Sequence, residues 1–241
     1  MIDTVFISDI HLHPDDLLIQ ARFNAFIEWA RRSVKELYIL GDLFHVWVGD
    51  DDINEWSAGI ADQIKQLVSQ GIPVYYMHGN RDFLLGKRYA SLAGWTELPQ
   101  RHLIELGKEK ILLAHGDQYC TKDIKHQRFR KITRNSVFKT LFLSFPLKYR
   151  KKLINEVRDR SIHDTSKTIE EMDVVAETII HEMLQFNIQT MIHGHTHKPG
   201  LTTYPVNDLE LKRYVLSDWD DTPQVLCYNN TKGLYYNQVR I

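Results

Sequence analysis

The chain has 241 residues, of which 43% are hydrophobic and 25% charged, with a formal net charge of -1. This is enough for one large domain or two small ones, of ordinary globular composition, and the charge alone argues neither for nor against nucleic acid. The two cysteines, Cys120 and Cys227, exclude a disulfide framework or a thiolate metal cluster, and no apolar run is long enough to span a bilayer. The start, Met1-Ile2-Asp3-Thr4, lacks a basic region followed by an apolar core, so no signal peptide is expected and the expected compartment is the cytoplasm. Twelve histidines are a first hint of metal chemistry.

In chain order, Thr4-Val5-Phe6-Ile7-Ser8 is a short β-branched apolar run that predicts a buried strand, ending in Asp9-Ile10-His11. Leu18, Phe23, Phe26, Ile27 and Ala30 recur at helical spacing between Leu17 and Arg32. Leu37-Tyr38-Ile39-Leu40 predicts a second strand, ending in Gly41-Asp42, and residues 54–69 read as a helix. Val74-Tyr75-Tyr76-Met77 runs into His78-Gly79-Asn80-Arg81-Asp82, and Lys110-Ile111-Leu112-Leu113-Ala114 into His115-Gly116-Asp117. Thr190-Met191-Ile192 leads into His193-Gly194-His195-Thr196-His197. Strands alternating with helices predict an α/β fold with a largely parallel sheet. From about Leu201 the chain is rich in Tyr, Val and Thr, with turns at Asn229-Asn230 and Lys232-Gly233, and added antiparallel strands covering one face are expected.

Residues 122–168 break the alternation and are expected to form an inserted helical lid within a single domain, 1–241. Between Lys122 and Arg160 there are thirteen Lys/Arg and three acids, interleaved with Phe129, Ile132, Val137, Phe138 and the run Leu141-Phe142-Leu143. Basic charge beside bulky apolar groups is the composition of an interfacial segment, so contact with a membrane or lipid is expected here.

Every predicted strand of the alternating part ends in Asp, His or Asn, often beside Gly. In open α/β sheets ligands bind outside the carboxyl ends of the strands. Asp9 and His11 are two apart and leave their strand on one side. With Asp42, Asn80, His115, His195 and His197 they make seven oxygen and nitrogen donors and no thiolate, which suits Mn, Fe, Co or Zn. Seven donors are too many for one tetrahedral ion and suit two ions sharing a carboxylate, the usual apparatus for displacement at phosphorus. Singly, each has a bland alternative: a helix cap for the Asp residues, a turn for Asn80, a core histidine for His115.

These five ordered motifs resemble the calcineurin-like metallophosphoesterases. The resemblance implies a four-layer α/β-β/α sandwich around a dinuclear centre. One ion would be held by Asp9, His11, Asp42 and His197 and the other by Asp42, Asn80, His115 and His195, with a bridging hydroxide attacking phosphorus. Gly79-Asn80-Arg81-Asp82-Phe83-Leu84, Gly41-Asp42-Leu43-Phe44 with Trp47, Gly49-Asp50-Asp51, and the basic insertion followed by Met172-Asp173-Val174 are similar to the UDP-2,3-diacylglucosamine pyrophosphohydrolases of lipid A biosynthesis. That narrower resemblance implies cleavage of the substrate pyrophosphate to UMP and 2,3-diacylglucosamine 1-phosphate (lipid X). It also implies two divalent ions, with Mn the expected metal, and peripheral attachment to the cytoplasmic face of a Gram-negative inner membrane.

Catalytic roles are implied for Asp42, Asn80, Arg81 and His115. Substrate contacts are implied for Asn80, Arg81, Asp123, Ser161, Asp164, Lys167 and His195. Asp164 stands where the family pattern has Asn, and His45 where an acidic residue is usual. The partners expected are the acylated UDP-sugar and the membrane surface, without nucleic acid or an obligatory protein. A soluble nucleotide phosphodiesterase and a metal-free scaffold are the competing readings.

Overall fold

The computed structural model describes residues 1–163, 173–220 and 223–238. Among the described residues, strands and α-helices follow one another as β1 (Thr4–Ile7), α1 (Leu17–Ser33), β2 (Leu37–Ile39), α2 (Glu55–Ser69), β3 (Val74–Met77), α3 (Lys87–Ala93), β4 (Thr96–Leu98), β5 (Arg101–Leu106) and β6 (Glu109–Ala114), then α4 (Ile124–Thr133), α5 (Ser136–Ser144), α6 (Leu147–His163), α7 (Ala176–Gln185), β7 (Thr190–His193), β8 (Gly200–Val206), β9 (Leu209–Val215), β10 (Gln224–Asn229) and β11 (Gly233–Gln238).

The strands form two sheets, ordered β11-β10-β1-β2-β3-β4 and β5-β6-β7-β9-β8. β1 to β4 are mutually parallel, as are β6, β7 and β9. The period-2 alternation of each apolar run decides the layers. On β1, Val5 and Ile7 face a core shared with Phe23, Phe26 and Ile27 of α1 and Ile60 and Ile64 of α2, while Phe6 faces the other sheet. On β6, Ile111 and Leu113 meet Phe6, Tyr38 and Met77 between the sheets, while Leu112 and Ala114 pack under Ile179 and Met183 of α7. The result is helix, sheet, sheet, helix, with buried strands apolar on both faces. All five sequence-predicted strands and both predicted helices are present. The carboxyl-terminal strands do not cover a face. β8–β9 extends the second sheet and β10–β11 the first, with β9 parallel to β7. Pairing to an existing edge satisfies their backbone N–H and C=O groups, which lying over a face would leave open.

Helices α4 to α6 occupy the basic stretch. Asp123 and Asn135 cap α4 and α5, each side-chain oxygen accepting backbone N–H groups of the first turn. The packing of these helices is one-sided. Phe142 and Ile154 lie against the core of the first sheet, whereas Leu141, Leu143, Phe145 and Tyr149 are exposed. Arg150, 1% exposed, pins α6 to the loop after β2: it donates to the carbonyls of Val48 and Phe145 and pairs with Asp51. Gly49 makes room for it, with φ at 136° and a Cβ position 2.3 Å from the guanidinium. No helix among the described residues is long and apolar enough to cross a membrane.

Arg150→Met is expected to lower stability by about 1–3 kcal/mol, because it strands buried carbonyl acceptors, while Asp51→Asn, on the exposed side of the pair, costs under about 1 kcal/mol. Urea unfolding of the two variants checks the asymmetry; equal costs would refute the anchoring role.

Candidate metal centre

The loops leaving β1, β2, β3, β6 and β7 meet at one place. Asp9 and Asp42 lie side by side there, both essentially buried. In each, one oxygen is tied down and the other faces the pocket. Asp9 Oδ2 accepts from the Ser8 hydroxyl and from the His195 amide at 2.8 Å, leaving Oδ1 3.5 Å from His197 Nε2. Asp42 Oδ1 accepts from the Arg81 amide at 2.8 Å, leaving Oδ2 3.5 Å from His11 Nε2, 3.7 Å from His115 Nε2 and 3.6 Å from Arg81 Nε. His115 Nε2 also lies 2.9 Å from Asn80 Oδ1, and its Nδ1 lies 2.8 Å from the Leu40 carbonyl, which fixes the ring. The His195 ring packs edge-on to His115, with centroids 5.2 Å apart, and stacks on His126 of α4.

All seven sequence-predicted donors therefore converge. Five of them, Asp9, His11, Asp42, His195 and His197, have φ between 53° and 69°; among the described residues the only other non-glycine residues with positive φ are Asn187 and Asn207. Left-handed backbone costs Asp or His on the order of 1–3 kcal/mol and persists where surrounding structure imposes it. Glycine permits the close approach. A Cβ on Gly79 would lie 1.9 Å from Asp42 Oδ1, and one on Gly194 2.3 Å from Asp9 Oδ2.

The donor set fits divalent cations. Two overlapping groups, Asp9-His11-His197 and Asp9-Asp42-His115, each offer ligand atoms within 4.8 Å of one another. Asp9 Oδ1 and His11 Nε2 are buried without a hydrogen-bond partner, which a native interior tolerates where an ion supplies the missing interaction. Burial would raise both carboxyls, but the facing imidazoles, joined by Arg81 at Asp42, outweigh it: Asp9 is held down to about 2 and Asp42 well below the usual carboxylate range. Burial and the neighbouring His115 push His195 down to about 3, which favours its neutral form.

Residues 2–199 match the family model of the calcineurin-like phosphoesterases. The chain belongs to that family. The curated proteins it resembles include the UDP-2,3-diacylglucosamine hydrolases of Salmonella paratyphi B and Salmonella gallinarum, each 42% identical over 217 residues that cover 90% of both chains. Among solved structures, Yfce, a phosphoesterase from E. coli, is 13% identical, covering 98% of this chain and 99% of its own, with a TM-score of 0.48. An archaeal phosphodiesterase is 14% identical over 98% of this chain and 97% of its own, with a TM-score of 0.45. Family and donor set together mean a divalent metal centre.

Sequence reasoning assigned no role to several residues that hold the centre. Asp82, fully buried, accepts from the amides of Gly79 and Leu43, both at 2.8 Å, and of Asp42 at 3.3 Å, tying the loops after β2 and β3 together. Asp117 pairs with Arg130 and Arg134 of the insertion at 2.9 and 3.5 Å, and Arg134 also donates to the Gly79 carbonyl. Asp82 follows Asn80, and Asp117 follows His115, by two residues within the motifs given above, and that adjacency was the available signal. His45 reaches Arg81, its Nδ1 3.4 Å from the guanidinium. Asp123 is buried as the α4 cap, accepting from the His126 amide. Asp164 and Lys167 lie outside the described residues, as does the side chain of Ser161.

Asp82→Ala removes the shared acceptor of three buried amides and is expected to cost on the order of 3 kcal/mol, with Asp82→Asn costing less because one carbonyl oxygen remains. Denaturant unfolding reads this; a cost no larger than that of the exposed Asp15→Ala would contradict it.

Proposed function

We propose that this chain hydrolyses the pyrophosphate of UDP-2,3-diacylglucosamine to UMP and 2,3-diacylglucosamine 1-phosphate, a step of lipid A biosynthesis. The reading is carried by the 42% identity, over nine-tenths of both chains, to proteins named for hydrolysis of that substrate. The centre supplies compatible chemistry. One ion would be held by Asp9, His11, Asp42 and His197 and the other by Asp42, Asn80, His115 and His195, with Mn the expected metal. When bound, such ions supply Lewis acidity, activation of water and neutralisation of charge at phosphorus.

The chain's own residues do the rest. Asp42 faces His11 on one side and His115 on the other, which suits a carboxylate shared between the ions. Arg81 has its amide fixed on Asp42 and a partly exposed side chain, which suits pairing of its guanidinium with the oxygens of the pyrophosphate. Helices α4 to α6 act as the lid. Their exposed Leu141, Leu143, Phe145 and Tyr149, beside Lys148, Lys151 and Lys152, suit acyl chains and an anionic bilayer surface. The protein would then work at the cytoplasmic face of the inner membrane. Asp123, Ser161, Asp164 and Lys167 remain assigned to the sugar-phosphate head.

Asp42→Ala is expected to abolish turnover and lower bound Mn, since both ions lose a ligand, whereas Arg81→Ala lowers kcat/KM with metal content unchanged. Elemental analysis beside kinetics separates them, and metal loss from Arg81→Ala would overturn the division of roles. Making Leu141, Leu143 and Phe145 polar should reduce kcat/KM on acylated substrate by at least tenfold, about 1.4 kcal/mol, and spare a small chromogenic phosphodiester. Phe142 is left intact because it packs on the core. Undiminished activity on the acylated substrate would favour a soluble nucleotide phosphodiesterase.

A further inference from the structure

His197 is the most exposed of the imidazoles facing the two buried carboxylates, its side chain 29% accessible against 12% for His11 and 2% for His115. Its ring lies between two carboxylates. Nε2 is 3.5 Å from Asp9 Oδ1, and Nδ1 is 3.3 Å from Asp218 Oδ2. The ring of His115 is fixed by the Leu40 carbonyl; the group at the corresponding nitrogen of His197 is Asp218.

Asp218 is delivered there by the fold. β9 runs parallel to β7 with Val215 opposite His193, and the Leu216 amide continues the ladder onto the His193 carbonyl at 2.8 Å. Three residues beyond Val215 and four beyond His193, the chains present Asp218 and His197 to each other. The loop is then clamped. Trp219 is buried edge-on against Phe26 of α1, with ring centroids 5.4 Å apart, and Arg22 of α1 donates to the carbonyls of Trp219 and Asp220. Asp218 lies outside residues 2–199, which match the family model.

We propose that Asp218 is a positioning residue for the metal centre: it accepts a hydrogen bond from the Nδ1–H of His197 and so fixes the ring in the tautomer whose Nε2 lone pair faces Asp9, where an ion would be held. A ligating imidazole whose second nitrogen donates to a carboxylate is held in one tautomer and is a stronger ligand. This rests on the reading of Asp9, His11, Asp42 and His197 as one ion's ligands.

The test is Mn2+ binding. Chelator-stripped wild type, Asp218→Asn and Asp218→Ala are titrated with MnCl2, free Mn2+ being followed by its electron paramagnetic resonance signal. Asp218→Ala should weaken one of two sites by roughly 10–100-fold and leave the other unchanged. Asp218→Asn, which keeps an acceptor but loses the charge, should fall between it and wild type. Turnover of both variants should return toward wild type at saturating Mn2+. Unchanged affinity at both sites would overturn the inference, as would an equal loss at both with a lowered unfolding midpoint, which marks a merely structural role. Wild type without a Mn2+ site would instead overturn the metal reading itself, a result distinct from two wild-type sites indifferent to the variants.

Discussion

Two carboxylates with their charges pointed into a water-poor pocket are the constraint on which the structure depends. Asp9 and Asp42 sit at the ends of adjacent parallel strands, so their side chains are neighbours by construction. Two unpaired carboxylates in such a place would repel each other and neutralise. Here each spends one oxygen on a backbone amide and aims the other at imidazoles. The left-handed backbone at five of the donors, and the glycines that clear space beside both acids, are costs that a cation-binding pocket offsets. The layers outside serve this placement: a strand buried on both faces has little freedom to shift register, so its terminal polar residue is held to a fraction of a turn.

The basic insertion has two surfaces with different work. Its inner arginines are structural. Arg130 and Arg134 reach Asp117, two residues beyond His115, and Arg150 threads into the loop after β2. These pairs couple α4 and α6 to the loops that carry the centre. Of the outer lysines, Lys151 reaches Asp52 of the loop after β2 at 2.6 Å, whereas Lys148 and Lys152 stand exposed beside the apolar row. A single stretch of positive charge thus divides into buried anchors, Arg150 above all, and an exposed basic and apolar surface.

Much of this was legible in the chain itself. Short apolar β-branched runs, each followed by Asp, His or Asn beside Gly, encode both the strands and the donors at their ends, because strand termination and ligand placement are local events. The seven donors, the α/β class and the helical insertion come from such local signals. Residues whose role depends on partners far along the chain were not legible. Arg150 reads as one lysine-like charge among thirteen until it is found buried against Val48. Asp218 sits in Leu-Ser-Asp-Trp-Asp-Asp, which carries no motif; only the parallel pairing of β9 with β7 brings it to His197. Strand pairing decided as well that β8 to β11 divide between the two sheets, since their alternation specifies a face but not a neighbour. What the amino-acid order determined by itself is chemistry carried within a few residues of a strand end; what tertiary structure decided is every contact whose energy arises only when distant segments exclude water together.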